Sequence, residues 1–236
     1  MTQPNTNSNF RLRPASEQDL LQITAIVNHY ITHTTVNYCH RTLPSTHFQA
    51  ALSEANARKL PFIVAAQAIN SETDNVGTSE SVEEKILGFA SVSPWTPSKL
   101  GYAHTLELSI YNSPDHRGGG IGSSLLKGVL HELETKEYLT FAEGGLRHVS
   151  STLESHTGSS SVVGIPVKCK KVLAVMAVDA DKAVDEGVKR FYLRNGFVEV
   201  GYISGMGWKF GGEQDVRYLM KAINEGYTPR KDVGDV

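Results

Sequence analysis

The chain has 236 residues, 40% of them hydrophobic and 20% charged, enough for one sizeable core or two small domains. A formal net charge of −2 excludes the basic field that draws nucleic acid or anionic lipid, so any grip on an anion must be local. Two cysteines, Cys39 and Cys169, exclude a disulfide framework and allow one bridge at most, and no apolar run reaches the length of a membrane span.

The opening "MTQPNTNSNF" is polar and lacks the apolar stretch of a secretory signal. Residues 1–9 read as a disordered tail, and reduced thiols in a cytoplasmic compartment, with the nucleus open, are the simplest reading of the cysteines. "FRLRP" (10–14) reads as a strand stopped by Pro14. Ser16 with Asp19 three residues on is a helix-start signal, and Leu20, Ile23, Ile26, Val27, Tyr30 and Ile31 follow at helical spacing. A second helix is predicted over roughly 46–59, then strands at 61–68 and 85–93, with a polar, acidic insertion at 69–84 between them. "HTLELSIY" (104–111) alternates, Leu106, Leu108 and Ile110 against Glu107, Ser109 and Tyr111. A glycine turn and a helix with the stripe Ile121, Leu125, Leu126, Val129, Leu130 and Leu133 come next. Residues 141–170 are rich in Ser and Gly without a sustained period and read as a second insertion. "KVLAVMAV" (171–178), apolar almost throughout, suits a central strand. A short helix ending before Gly196 and the strands "FVEVGYI" and "DVRYLMKAI" close the pattern, and 223–236 reads as a tail. The expectation is one α/β (α+β) domain over 10–222, a mixed, mostly antiparallel sheet of six or seven strands with about four helices.

The turn "SPDHRGGGIGSSLL" (113–126) carries the chemistry. A helix begins near Gly120, and its first N–H groups are unpaired and bear partial positive charge, which suits a phosphate. Glycines permit positive φ and remove the Cβ atoms that would hold a bulky anion off, while Arg117 adds a planar fork of donors. The Walker loop's Gly-Lys-Ser/Thr is absent, and the third glycine of a dinucleotide fingerprint is replaced by Ser123.

Arg117-Gly118-Gly119-Gly120-Ile121-Gly122 resembles the Arg/Gln-x-x-Gly-x-Gly/Ala signature of the GNAT N-acetyltransferase superfamily. "NHYITHTTVNY" (28–38), "GYAHTLELSIYNSPDHRGGGIG" (101–122), "FYLRNGFVEVG" (191–201) and "GWKFGGEQDV" (207–216) are similar, in the same order, to segments of its phosphinothricin acetyltransferase-like branch. The resemblance implies the GNAT fold, acetyl-CoA as co-substrate, and direct acetylation of the amino group of a small amino acid or analogue such as phosphinothricin or methionine sulfoximine. It also implies a homodimer. The alternatives are a polyamine or peptide amine as acceptor, or an acyl-CoA sensor without turnover.

By that resemblance the backbone of Gly118, Gly119, Gly120, Ile121, Gly122 and Ser123, with Arg117, holds the pyrophosphate. The main chain of Ile110, Tyr111 and Asn112 meets the pantetheine arm and the thioester. Glu107 matches the family's catalytic glutamate, on a strand next to the turn where a partly dry setting raises a carboxyl's pKa. Tyr192 is the candidate acid, a phenol that keeps its proton to about pH 10; the nearer branch often has histidine there. Asn28, Tyr30, Thr35, Val36, Asn37, Tyr102 and His104 are expected to wall the amine site, with Arg41 or Lys209 as candidates for a substrate carboxylate. His29 and His33 share a helix face, but no third ligand stands at a recognised spacing, so no metal is expected.

Overall fold

The computed structural model describes residues 9–69, 83–141 and 164–226. The expected N-terminal tail, most of both expected insertions and most of the C-terminal tail lie outside the described residues. The elements run β1 (Arg11–Pro14), α1 (Leu20–His33), α2 (Ser45–Arg58), β2 (Phe62–Ala68), β3 (Glu84–Pro94), β4 (Thr105–Asn112) and α3 (Ile121–Thr135). They continue with β5 (Tyr138–Thr140), β6 (Ile165–Val167), β7 (Lys171–Ala177), α4 (Lys182–Arg194), β8 (Val198–Lys209) and β9 (Gly212–Ala222).

Seven strands form one sheet in the order β1-β2-β3-β4-β7-β9-β8, antiparallel except for the parallel pair β4–β7. The mixed sheet with four helices matches the predicted fold class. β7 is central as its apolar run required, between β4 and β9. Short β5 and β6 pair separately; their three-residue length gave no periodic signal. β8 runs to Lys209, well past the predicted "FVEVGYI", because its register shifts twice against β9 and breaks the simple alternation.

The core follows the stripes read from the sequence. Leu125, Leu126 and Val129 of α3 are fully buried, as are Leu106 on β4, Val172 on β7 and Leu219 on β9. The start of α1 is fixed by Ser16 and Asp19, the Ser16 N–H donating to the Asp19 carboxylate at 2.8 Å, and Arg13 grips the same carboxylate at 2.7 and 2.8 Å. Packing continues beyond β9, since Ile223 is buried and the Asn224 amide donates to the carbonyls of Leu133 and Cys169. Among the described residues no helix is long and apolar enough to cross a membrane.

Candidate active site

The parallel pairing of β4 with β7 is short. Thr105, Leu106 and Glu107 face Lys171, Val172 and Leu173, and there the ladder stops. β4 continues on β3 as far as Asn112 opposite Gly88, while β7 continues on β9 as far as Ala177 opposite Val216. Each strand is held by its outer neighbour and the sheet forks between them. A cleft of about 930 Å³ opens at this fork, with Glu107 at its apex, Ser109 to Asn112 along one arm and Val175 to Ala177 along the other.

Antiparallel pairing turns alternate residues of β4 toward opposite neighbours. The Trp95 N–H donates to the Thr105 carbonyl and the Ser113 N–H to that of Leu87, which sets the odd-numbered main chain of β4 against β3. The N–H groups of Ile110 and Asn112 therefore face the fork, and that of Tyr111 does not. This corrects the expectation for Tyr111: it lines the cleft, but its N–H is turned toward β3. The Asn112 carbonyl is already taken by the Tyr30 hydroxyl at 2.8 Å.

The glycine turn closes one end of the cleft. Gly118, Gly119 and Gly120 have φ of +88°, +59° and +79°, a left-handed run that residues with a Cβ rarely adopt. The space around all three is open, so their absent side chains answer a conformational need and leave room beside the chain. Gly120 caps α3, and the free N–H groups of its first turn point out of the helix end. Arg117, Gly118, Gly119, Gly120, Gly122 and Ser123 all line the cleft. Ile121 does not, because its side chain anchors the turn in the core, and its N–H donates to the Gly118 carbonyl at 3.5 Å. The Arg117 guanidinium lies 5.7 Å over the Tyr30 ring.

Glu107 and Tyr192 both line this cleft. Burial lifts the Glu107 carboxyl above the ordinary carboxylate range. Burial also pushes the Tyr192 phenol far above its usual value, so its proton is retained throughout the neutral range. α4 brings Tyr192 there because its stripe of Val184, Val188, Phe191 and Tyr192 borders the cleft, while the Tyr192 ring also packs into the core against Phe197. The helix is tied down from behind, where the buried Asp185 carboxylate accepts from Arg217 of β9 at 3.0 and 3.1 Å.

Of the expected amine wall, Tyr30, Val36 and Asn37 line the cleft, joined by Thr34 and Tyr38. The Asn37 amide donates to the Tyr111 hydroxyl at 3.1 Å. Asn28, Thr35, Tyr102 and His104 do not line it. The Asn28 amide clamps the main chain of Leu43 in both directions, so it shapes the loop instead. Thr35 alternates away between two lining residues. Tyr102 and His104 precede the fork, where the sheet is still closed; Tyr102 is exposed and His104 Nδ1 donates to the Lys168 carbonyl at 2.8 Å. Neither candidate cation reaches the cleft lining: Arg41 is exposed, and Lys209 is buried with its ammonium on the Asn37 carbonyl. Sequence reading missed Val175, Met176, Ala177 and Val188, which come within reach only because β7 diverges from β4. Among the described residues no group of three or more His, Cys, Asp or Glu stands together to hold a metal; His29 and His33 stack ring on ring at 4.6 Å.

The chain is similar to known proteins. Residues 45–146 match the Acetyltransferase (GNAT) family. The phosphinothricin N-acetyltransferase of Streptomyces viridochromogenes is 26% identical over 220 residues, 93% of this chain and 91% of that protein. The L-methionine sulfoximine/L-methionine sulfone acetyltransferase of Salmonella typhimurium is 23% identical over 218 residues, 92% and 97% of the two chains. Among solved structures, a GNAT superfamily phosphinothricin acetyltransferase from Sinorhizobium meliloti, in complex with AcCoA, superposes with a TM-score of 0.66 at 18% identity. That match covers 96% of each chain and shows the fold.

Proposed function

We propose that this chain, whose residues 45–146 match the Acetyltransferase (GNAT) family, moves the acetyl group of acetyl-CoA to the amino group of a small amino acid or amino-acid analogue. The observation that carries this reading is the fork, which sets a desolvated carboxylate, two outward backbone donors and an anion-binding glycine turn along one cleft. The relatives named for phosphinothricin and methionine sulfoximine support the acceptor class. Of the carboxylates lining the cleft, Asp185 is spent on Arg217, which leaves Glu107 and Asp179, a poor match to a polyamine's several charges.

In this reading the diphosphate lies on the amides of 118–123 beside Arg117, and the pantetheine arm runs along the open edge of β4 toward Glu107. The Ile110 and Asn112 N–H groups are the donors available to that arm and to the thioester oxygen. The ammonium of the acceptor gives a proton to Glu107, directly or through a water, and its lone pair then attacks the carbonyl carbon. The new N–C bond forms and the C–S bond breaks; the departing thiolate takes the phenolic proton of Tyr192, and the second proton of the former ammonium, shed as the nitrogen becomes an amide, restores that phenol.

Acetylation of phosphinothricin, methionine sulfoximine and a panel of amino acids, followed by release of free thiol, tests the proposal. Glu107→Gln should lower turnover by about 10²- to 10⁴-fold while acetyl-CoA still binds. Binding of acetyl-CoA without thiol release on any amine would replace the enzyme by a sensor. We further propose that two copies pair through β8, the sheet's edge strand, along which Val198, Val200, Met206 and Trp208 are all more than half or half exposed.

A further inference from the structure

A second cavity, of about 450 Å³, lies between α3 and α4 and shares Ser123, Gly187 and Phe191 with the main cleft. It is therefore a side chamber of the same site, entered where the glycine turn becomes helix. Its wall carries three cations, Lys127 from α3 and Arg190 and Arg194 from α4. Arg190 and Arg194 are four residues apart and share a helix face. Gly187, three residues before Arg190, presents no side chain, and a Cβ there would meet nothing within 4 Å.

Among the described residues none of the three cations has an ion-pair or hydrogen-bond partner. The acids of the neighbourhood are committed elsewhere: Asp185 pairs with Arg217, and Glu199 with Lys189 and Arg217. Glu186 precedes Arg190 by one turn without forming an ion pair with it. Three unpaired cations converging on one chamber repel each other, in a chain whose net charge is −2. Such a cluster is the electrostatic mould of a polyanion.

We propose that this chamber binds the 3′-phosphomonoester of the coenzyme's adenosine and makes the protein select 3′-phosphorylated carriers. The proposal rests on the acetyl-CoA reading above. A carrier with its diphosphate on the glycine turn has a second, dianionic phosphate on the adjoining ribose, some ångströms away. Lys127 is four residues after Ser123, roughly 6 Å further along the helix, a separation of that order. The fork and the glycine turn recognise features common to any pantetheine-diphosphate; Lys127, Arg190 and Arg194 read the one phosphate that distinguishes coenzyme A from its dephosphorylated precursor.

The test is calorimetric titration of the full chain, wild type and K127Q/R190Q/R194Q, with coenzyme A and with dephospho-coenzyme A. Far-ultraviolet circular dichroism and thermal midpoints check that the variant, altered only at exposed positions, remains folded. Wild type should bind coenzyme A at least about 10-fold more tightly, and the preference should shrink as salt is added. The triple variant should bind both forms alike, at the wild-type affinity for the dephospho form. Equal wild-type affinities, or a preference that survives in the folded variant, would overturn the proposal and leave the acetyl-CoA reading intact. Failure of wild type to bind either form would overturn both.

Discussion

Folding takes Glu107 partly out of water, among the described residues without a counter-ion, and burial lifts its carboxyl above the usual range. An acid whose folded pKa is raised adds stability below its unfolded pKa, and that stability is lost as pH rises through the folded value. At neutral pH the ionised carboxylate is thus a burden that a base at this position requires. Glu107→Gln should raise the thermal midpoint at pH 7 to 8, and the gain should fade toward pH 4; a gain independent of pH would remove burial of the charge as its cause. This residue was legible in the sequence, because strict alternation along "TLELSIY" put Glu107 opposite the buried leucines. Tyr102 and His104 were misassigned for a related reason. Proximity along a strand implies proximity to the cleft only where the strand borders it, and β4 borders the cleft only after its pairing with β7 ends at Glu107.

Among the elements, the turn before α3 and the helix α4 make opposite demands. The turn needs three left-handed residues in open space. Gly120→Ala therefore meets strain without a clash, about 1–2 kcal/mol for a non-glycine residue in that region. We expect it to weaken acetyl-CoA binding at least about 10-fold, since ~1.4 kcal/mol is tenfold, with turnover at saturation much less affected. Unchanged affinity would mean that the turn's backbone does not hold the carrier. α4, by contrast, leans its apolar stripe on an open cleft and depends on Asp185 and Arg217 for anchorage. Asp185→Asn takes from the buried Arg217 guanidinium its buried carboxylate, leaving it the part-exposed Glu199 at 3.2 Å, and should cost about 3 kcal/mol in urea unfolding. Asp185→Leu with Arg217→Met should recover much of that loss, because two well-packed apolar residues carry no desolvation cost. The turn was readable from its glycines and its arginine. The anchor was not, because its partners are 32 positions apart and no local pattern links them. α4's stripe was visible, but whether it faced core or cleft depended on how β7 left β4.

On the scale of the whole molecule, the element order, the central position of β7 and the helix count followed from periodicity. The fork, which makes the site, did not, since it is a relation between two strands more than 50 positions apart in sequence. The long exposed edge at β8 was also only half seen. If two copies meet there, Val200→Glu with Trp208→Glu should turn a dimer into a folded monomer in sedimentation velocity. A single monomeric species of the wild type at micromolar concentration would dismiss that pairing. The cleft wall formed by residues 34–38 is likewise a long-range construction. The Tyr38 hydroxyl donates to the Asp215 carbonyl across 177 positions, and Lys209 reaches the Asn37 carbonyl across 172. A nascent chain that has left the ribosome as far as α3 already contains its glycine turn and the Tyr111 partner of Asn37, yet the loop at 34–38 lacks its contacts with Lys209 and Asp215 until the hairpin of β8 and β9 is made. Synthesis order therefore separates two parts of the cleft in time: the glycine turn is translated well before the hairpin that props residues 37 and 38.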